Sequence, residues 1–258
     1  MPPLAAASLP APALPFGLAA AAPPPAPSPP PLPTPLLAPG AVAAVEVACI
    51  ELTCRRQGIA LYDYLGGALD DRPLFNGWIG ELPPDEAAAE ARRWLEAGFL
   101  STKIKVGSGV AQDRDRVEAV RDAVGDAMKL RMDANQRYDA ATSLELCKAV
   151  KQFDMQLFEQ PTPKDDLEGM ARVRREGGIP VMADESISDH ESLPRVIQAG
   201  CADFVKLGVT QAGGLPPAAH TLAPAAAAGL PGALGPGLGA YPDHLAQTRA
   251  AARYRRLA

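Results

Sequence analysis

The stretch STKIKVG, residues 101–107, is a short apolar run that ends near a charged residue, Lys105, and the chain repeats this design four more times. The later runs, LRMDAN, QLFEQP, PVMADES and DFVKLG, place Asp133, Glu159, Asp184 and Lys206 at the matching points. Successive charged residues lie 28, 26, 25 and 22 residues apart, about the length of a strand, a helix and two loops. The spacing predicts a repeated βα unit with one ionisable side chain at the end of each strand.

Alternation of strand and helix patterns predicts a parallel α/β fold, a (β/α) barrel of the TIM type. We count six strands and a weak seventh, and we find no eighth, so the barrel is predicted to be incomplete. In such a barrel the carboxyl ends of the strands form one mouth, where catalytic groups gather. The predicted strands are 74–80, 101–107, 129–135, 155–161, 179–186, 202–209 and, interrupted by proline and glycine, 230–237.

The chain divides into segments of different composition. Residues 1–43 carry no charge and most of the prolines, with 15 of the 28 in the first 40 positions, so we expect a disordered segment. A helix over 44–57, closed by Gly58, and the turn LYDYLGG follow, and we take residues 44–70 as one unit. The barrel is assigned to 71–214, and 215–258 is taken as a degenerate barrel end with a basic tail.

Composition narrows the class of protein. A net charge of −5 gives no basic surface for nucleic acid. No run of 18 clean apolar residues would span a membrane, and residues 1–43 lack the basic start of a signal peptide. Four scattered cysteines do not form a disulfide framework, which favours reduced thiols in a cytoplasmic protein.

The predicted mouth of the barrel brings together three acids and the lysines. Carboxylates from separate strands suit Mg2+, a hard cation that binds oxygen, and we predict Asp133, Glu159 and Asp184 as its ligands. Lys103 and Lys105 alternate along one strand and so face the same side, while Lys206 approaches from four strands away. Two supporting residues complete the set. Asn135 is predicted to face the same side as Asp133, and Glu185 is predicted to contact a lysine or a neighbouring loop.

Other residues, outside the predicted strands, give weaker signals. His190, His220 and His244 have no spacing that suggests a metal site. Ser188 is a plausible N-cap for a helix over 188–199, with Glu191 at the capping-box position. The pair Gly213-Gly214 could present backbone N–H groups to an anion, although two adjacent glycines are a weak motif.

At these residues the chain resembles the enolase superfamily, and within it the mandelate racemase and muconate lactonizing enzyme group. The resemblance runs from about residue 42 to 214 and covers the order and spacing of five motifs. They are KIK (103–105), MDAN (132–135), FEQP (158–161), ADES (183–186) and VKLG (205–208).

The resemblance implies Mg2+, with Mn2+ as the alternative metal, held by Asp133, Glu159 and Asp184, and a small carboxylate substrate. Lys105 and Lys206 would exchange the proton alpha to the carboxylate on opposite faces through an ene-diolate, and Lys103 would touch the carboxylate. This is the chemistry of a racemase, epimerase or cycloisomerase, all isomerases. A lyase, such as an acid-sugar or hydroxy-acid dehydratase, is the close alternative.

The chain also departs from the family pattern. The family's N-terminal capping domain is represented only by the unit at 44–70, and the region after the seventh strand has Pro236 and no histidine, which favours a lysine–lysine pair. A truncated, non-catalytic relative is therefore the second hypothesis. Family members are often oligomers, so a homo-oligomer is compatible with the resemblance.

Overall fold

Seven parallel strands follow one another in chain order across a single sheet. The computed structural model describes residues 38–67 and 75–235, and within them the sheet curls with helices on its outer side. The prediction of an incomplete (β/α) barrel is confirmed. The strands are β1 (Gly77–Ile79), β2 (Ser101–Lys105), β3 (Lys129–Asp133), β4 (Met155–Glu159), β5 (Val181–Ala183), β6 (Phe204–Gly208) and β7 (Gly232–Gly235).

The α-helices are α1 (Pro39–Gln57), α2 (Leu61–Tyr64), α3 (Pro84–Glu96), α4 (Val110–Val124), α5 (Ala140–Val150), α6 (Leu167–Glu176), α7 (Ser192–Ala199), α8 (Val209–Ala212) and α9 (Leu215–Ala227). Helices α3 to α9 lie between the strands, as the alternating pattern predicted, whereas α1 and α2 precede β1. The short helices α2 and α8 were not predicted as helices because four residues are too few to show a helical period.

Side chains alternate between the two faces of each strand. On β2, Thr102 and Ile104 are fully buried among the helices, whereas Lys103 and Lys105 point to the inner side, where the carboxylates lie. The strand register keeps the rim residues level, because Lys105 is paired with Asp133 and Asp133 with Glu159. The period of two therefore delivers charged side chains to one end of the barrel interior.

Helix α1 begins at Pro39, earlier than the predicted start at 44, and ends at Gly58, whose positive φ of 67° closes it as predicted. Its buried side packs on α8 and α9, and Glu46 Oε2 accepts a hydrogen bond from the Leu215 N–H at 2.8 Å. Burial raises the pKa of the Glu46 carboxyl, and this hydrogen bond opposes the rise. The assignment of domain limits, including a unit at 44–70, stays a prediction, and residues 1–37 lie outside the described residues.

Helix α7 begins later than predicted, at Ser192. The side chain of Asp189, rather than Ser188, accepts the N–H groups of Glu191 and Ser192, at 3.0 and 2.8 Å. The prediction of Ser188 as the N-cap is therefore wrong. An aspartate one residue along makes the stronger local turn.

All four cysteines are thiols that form no disulfide, as predicted. Cys49 is exposed on α1, whereas Cys54, Cys147 and Cys201 are buried. Burial raises the pKa of Cys147 to about 12 and that of Cys201 to about 11. Cys147 and Cys201 are thus neutral thiols at neutral pH.

Within the described residues, no helix has the length and apolar character needed to cross a bilayer.

Candidate active site

Three lysines and three carboxylates form an interlocked cluster at the carboxyl ends of the strands, here called the rim cluster: Lys103, Lys105, Asp133, Glu159, Asp184 and Lys206. On one side, Asp133 Oδ2 lies 2.8 Å from Lys103 Nζ and 2.6 Å from Lys105 Nζ. Lys103 Nζ also reaches the two oxygens of Glu159, at 3.1 and 3.3 Å. Strands β2, β3 and β4 are therefore joined through their charged ends.

Lys206 joins the other side of the rim cluster. Its Nζ lies 2.6 Å from Glu159 Oε1 and 2.6 Å from Asp184 Oδ2, so Glu159 links the two halves. Burial by itself lowers the pKa of Lys206, but the charges and hydrogen bonds of Glu159 and Asp184 outweigh it, and the net pKa is raised. Lys206 is thus held as an ammonium group by the two carboxylates.

The carboxylates of the rim cluster are more deeply buried than the lysines. The Asp133 side chain is fully buried, whereas that of Lys105 keeps 20% of its surface exposed. Buried charges are tolerated only when they are paired and hydrogen-bonded. Each acid is paired with at least one lysine, and the lysines keep the more exposed surface of the rim cluster.

Asn135 and Glu185 connect the rim cluster to its neighbouring loops. Asn135 Oδ1 accepts a hydrogen bond from Lys105 Nζ, and Asn135 Nδ2 donates to Glu185 Oε1 at 2.8 Å. The Asn135 backbone N–H donates to Asp133 Oδ1 at 3.0 Å. Asn135 therefore lies on the side of Asp133, and Glu185 contacts the loop after β3.

Beneath the loop after β2 lies a second buried charged group, here called the loop clamp: Asp113, Arg116 and Tyr138. Asp113 Oδ1 lies 2.6 Å from Arg116 Nη1, and Asp113 Oδ2 accepts the hydroxyl of Tyr138 and the Gly107 N–H. Arg116 donates to the carbonyl oxygens of Leu82 and Lys105, at 2.7 and 3.1 Å. The loop clamp thus holds the backbone of Lys105 itself.

Two polar residues near the site were missed by the sequence reasoning. Arg131 alternates with Asp133 on β3 and donates to Gln156 Oε1 at 2.6 Å. Burial lowers its pKa, against the opposing charge of Glu159. Gln160 follows Glu159 and is completely buried. The period of two could have placed Arg131 inside. Most partners of Gln160 belong to the distant turn at 184–186 and leave no local signal.

The donor set fits a hard divalent cation. Asp133, Glu159 and Asp184 offer only carboxylate oxygens, and Asp184 Oδ1 is buried with no hydrogen-bond partner, so one oxygen is available for a cation. Across residues 38–67 and 75–235, no three His, Cys, Asp or Glu side chains already stand together as a metal site. The lysines occupy the space between the acids.

The remaining sequence candidates stay apart from the rim cluster. His190 and His220 are exposed, and His244 lies outside the described residues. The N–H groups of Gly213 and Gly214, which follow α8, both donate to the carbonyl oxygen of Val209, the first residue of that helix. The prediction that these glycines present free N–H groups to an anion is therefore wrong, because the short helix uses them for its own C-cap.

Gly235 on β7 lies directly beside the Lys206 side chain. A Cβ added at Gly235 would collide with Lys206 Cε and crowd its Cγ and Cδ. The glycine that weakened the prediction of a seventh strand therefore makes room for the lysine.

Comparison with known proteins identifies the family. A model of the family described as Enolase C-terminal domain-like matches residues 86–255, and the chain belongs to that family. The hydrophobic dipeptide epimerase of Enterococcus faecalis is 34% identical over 178 residues, 69% of this chain and 50% of the relative. Muconate cycloisomerase 1 of Rhodococcus opacus is 34% identical over 192 residues, 74% of this chain and 52% of the relative.

A solved structure shows the same fold. The crystal structure of the Enterococcus faecalis dipeptide epimerase, complexed with Mg and the dipeptide L-Leu-L-Tyr, has a TM-score of 0.82 and 30% sequence identity. The matched region covers 86% of this chain and 63% of the epimerase chain. The chain spans about half the length of the curated relatives it matches. These and other relatives are epimerases, racemases, cycloisomerases and a dehydratase.

Proposed function

We propose that this chain carries the catalytic barrel of a Mg2+-dependent isomerase that abstracts a proton alpha to a carboxylate. The observation that carries the proposal is the rim cluster, in which lysines from β2 and β6 share three buried carboxylates. Structural ion pairs seldom bring so many buried charges to one barrel mouth. Clusters of this kind mark functional sites.

Lys105 and Lys206 are proposed as the two groups that exchange the substrate proton. They stand on β2 and β6, with three strands between them, so a substrate bound between them presents opposite faces to the two lysines. Removal of the alpha proton by one lysine in its neutral form, and donation of a different proton by the other lysine in its ammonium form to the opposite face, inverts the carbon. Lys103, bonded to both Asp133 and Glu159, is proposed to contact the substrate carboxylate.

Asp133, Glu159 and Asp184 are proposed to hold Mg2+ or Mn2+. When bound, such a cation supplies electrostatic stabilisation for the negative charge that develops on the substrate carboxylate. The lysines must then release these acids. Because the acids are what raises the pKa of Lys206, their engagement elsewhere favours loss of its proton, which a base requires.

The substrate class is proposed from the relatives. Several of them are named as dipeptide epimerases or as an N-succinyl-Arg/Lys racemase, so an N-acylated amino acid with a free carboxylate is the first class to test. Dehydration of an acid sugar is the second candidate, since an L-talarate/galactarate dehydratase is 28% identical to the chain. Four cysteines that form no disulfide support a reducing compartment, the cytoplasm. A homo-oligomer stays a prediction.

The test is proton exchange in D2O, followed by NMR, with a panel of dipeptides and N-succinyl amino acids. We expect deuterium at the alpha carbon in the presence of Mg2+, and none after chelation. Asp184→Asn is expected to abolish the exchange while leaving the far-UV circular dichroism unchanged.

The outcomes separate the hypotheses. Full exchange by Asp184→Asn would exclude the proposed metal ligand. Loss of water from an acid sugar without isomerisation would favour the dehydratase. A folded chain that neither responds to Mg2+ nor exchanges any substrate would support the non-catalytic relative.

A further inference from the structure

Gln160, immediately after β4, is a polar side chain whose hydrogen-bonding capacity is fully used. It is completely buried. Its Oε1 accepts the backbone N–H groups of Asp184 and Ser186, at 3.0 and 3.1 Å. Its Nε2 donates to Ser186 Oγ at 2.8 Å and to Thr162 O at 3.0 Å. Two lone pairs and two hydrogens are all that a primary amide offers.

The backbone of Gln160 makes further ties to the neighbouring strands. Its N–H donates to Met182 O at 2.9 Å, and its carbonyl accepts the Gln136 N–H at 3.0 Å. Together with the side chain, these bonds join the carboxyl ends of β3, β4 and β5. No other described residue between Glu159 and Asp184 is bonded to the backbone of the 184–186 turn at two amides.

The backbone conformation at this position is unusual. Gln160 has a φ of 37°, and Asn135 and Gln136 at the end of β3 have φ values of 42° and 70°. Among the described residues, these three and Asp154 are the non-glycine residues with positive φ, and Asp154 lies at the opposite end of β4. Such conformations persist only where the surroundings fix them, and they concentrate at functional sites.

We propose that Gln160 is a positioning residue that sets the carboxylates of Glu159 and Asp184 relative to each other. Glu159 is its neighbour in the chain, and the Asp184 amide is bonded to its side chain. One buried amide therefore spans the two strands that carry these acids. Its consequence for Mg2+ rests on the proposed function, whereas the positioning itself is a property of the metal-free protein.

The test replaces Gln160 with a side chain of similar length that has no amide, Gln160→Met. In the metal-free protein, we expect the Asp184 and Ser186 amides to exchange with deuterium at least about ten times faster, measured by NMR. Dissociation constants for Mg2+, from calorimetric titration, are expected to rise about 10- to 100-fold, the usual effect of removing an outer partner of a metal site.

The control is Val120→Ala, which removes buried volume on α4, away from the turn at 184–186. It lowers stability without touching that turn, so Mg2+ affinity and the exchange of the two amides are expected to match the parent protein. Gln160→Met with parental exchange and affinity would overturn the proposal, and so would equal losses in Val120→Ala.

Two further outcomes remain decisive. If the parent protein binds no Mg2+, the proposed function fails, and the exchange of the two amides still decides the role of Gln160. If Gln160→Met does not fold, Gln160→Glu takes its place, because it keeps the accepting oxygen. Slow exchange at Asp184 and Ser186 is then expected, and fast exchange there overturns the proposal.

Discussion

The loop clamp and the rim cluster both bury charge beside β2, but their partners differ in kind. In the loop clamp, Asp113 and Arg116 bond to each other and to backbone groups of Gly107, Leu82 and Lys105. These backbone partners are fixed by the fold. The loop clamp is therefore a closed set in which each charge has a permanent partner.

In the rim cluster, the partners of the acids are mostly the ends of flexible lysine side chains. Asp184 depends on Lys206 for Oδ2, while its Oδ1 is buried without a hydrogen bond. A lysine can swing away and leave its acid to another cation, which a backbone carbonyl cannot do. A buried acid such as Asp184, whose hydrogen-bond partner is a lysine side chain, can therefore change its partner, whereas the charges of the loop clamp are fixed in part by backbone groups.

The largest expected effect is on turnover, from Lys206→Ala. General acid–base groups typically contribute 10²- to 10⁴-fold, so we expect a loss of about 1,000-fold, equivalent to about 4 kcal/mol. One substrate enantiomer should be affected more than the other, because Lys206 serves one face. Proton exchange in D2O, measured separately for each enantiomer, checks this.

The matched control is Lys129→Ala, at the opposite end of β3. Its Nζ lies 3.5 Å from Asp154 Oδ2, and both side chains are exposed. Turnover and stability are expected to change little, since exposed ion pairs contribute less than about 1 kcal/mol. Equal losses for both enantiomers in Lys206→Ala would contradict a mechanism with two bases.

The next largest effect is on the free energy of unfolding, when an aspartate is replaced by asparagine in each of the two clusters. Asp113→Asn leaves the buried Arg116 without its counter-charge, which is expected to cost about 3 kcal/mol. Asp184→Asn leaves Lys206 paired with Glu159, so the cost is expected to be about 1 kcal/mol or less. Urea unfolding, with and without Mg2+, measures both.

The loss of stabilisation by Mg2+ should be greater in the variant that loses less stability. Stabilisation by Mg2+ is expected to survive in Asp113→Asn and to disappear in Asp184→Asn. If both variants lost it equally, or if Asp184→Asn cost as much stability as Asp113→Asn, the distinction between the two clusters would be wrong.

The smallest effect comes from Tyr138→Phe, which removes one hydroxyl from the loop clamp. The hydroxyl donates to Asp113 and accepts the Gly109 N–H at 2.8 Å, and its loss is expected to cost about 1 kcal/mol. Burial and the bond to Asp113 raise the pKa of Tyr138 from 10.0 to about 12.

The raised pKa has a defined sign for stability. The folded state retains the phenolic proton more tightly than the unfolded state. The contribution of Tyr138 to the free energy of unfolding is therefore fully present below pH 10 and is lost as the pH rises toward 12. Tyr138→Phe should lack that part of the pH dependence. Urea unfolding from pH 8 to 11.5 would show it, and parallel curves for the two proteins would refute it.

Sequence patterns predicted the parts of the fold that local chemistry controls. Lys105, Asp133, Glu159, Asp184 and Lys206 each follow an apolar run, so they could be placed at or near the carboxyl ends of strands. Lys105, Asp133 and Glu159 pair in register there. The roles of these residues stay proposals, since geometry alone does not establish chemistry.

Features that depend on distant partners could not be predicted. Gln160 obtains its importance from Asp184 and Ser186, more than 20 residues away. In the sequence, Gly235 weakened the prediction of β7 because glycine is unfavourable within a buried strand. In the structure, the absent side chain leaves the space that Lys206 occupies. The start of α7 was missed because the spacing of Ser188 and Glu191 matches a capping box, whereas the adjacent Asp189 accepts the N–H groups of Glu191 and Ser192.

The distribution of the thiols gives the chain a ready-made attachment point for a spectroscopic probe. Cys49 is the exposed member of the four, while the other three are buried and two of them resist ionisation. A maleimide reagent at neutral pH should therefore label α1 at one position without any engineered cysteine. Since α1 contacts α8 and caps α9 through Glu46, a fluorophore there would report how this helix responds when a ligand enters the barrel.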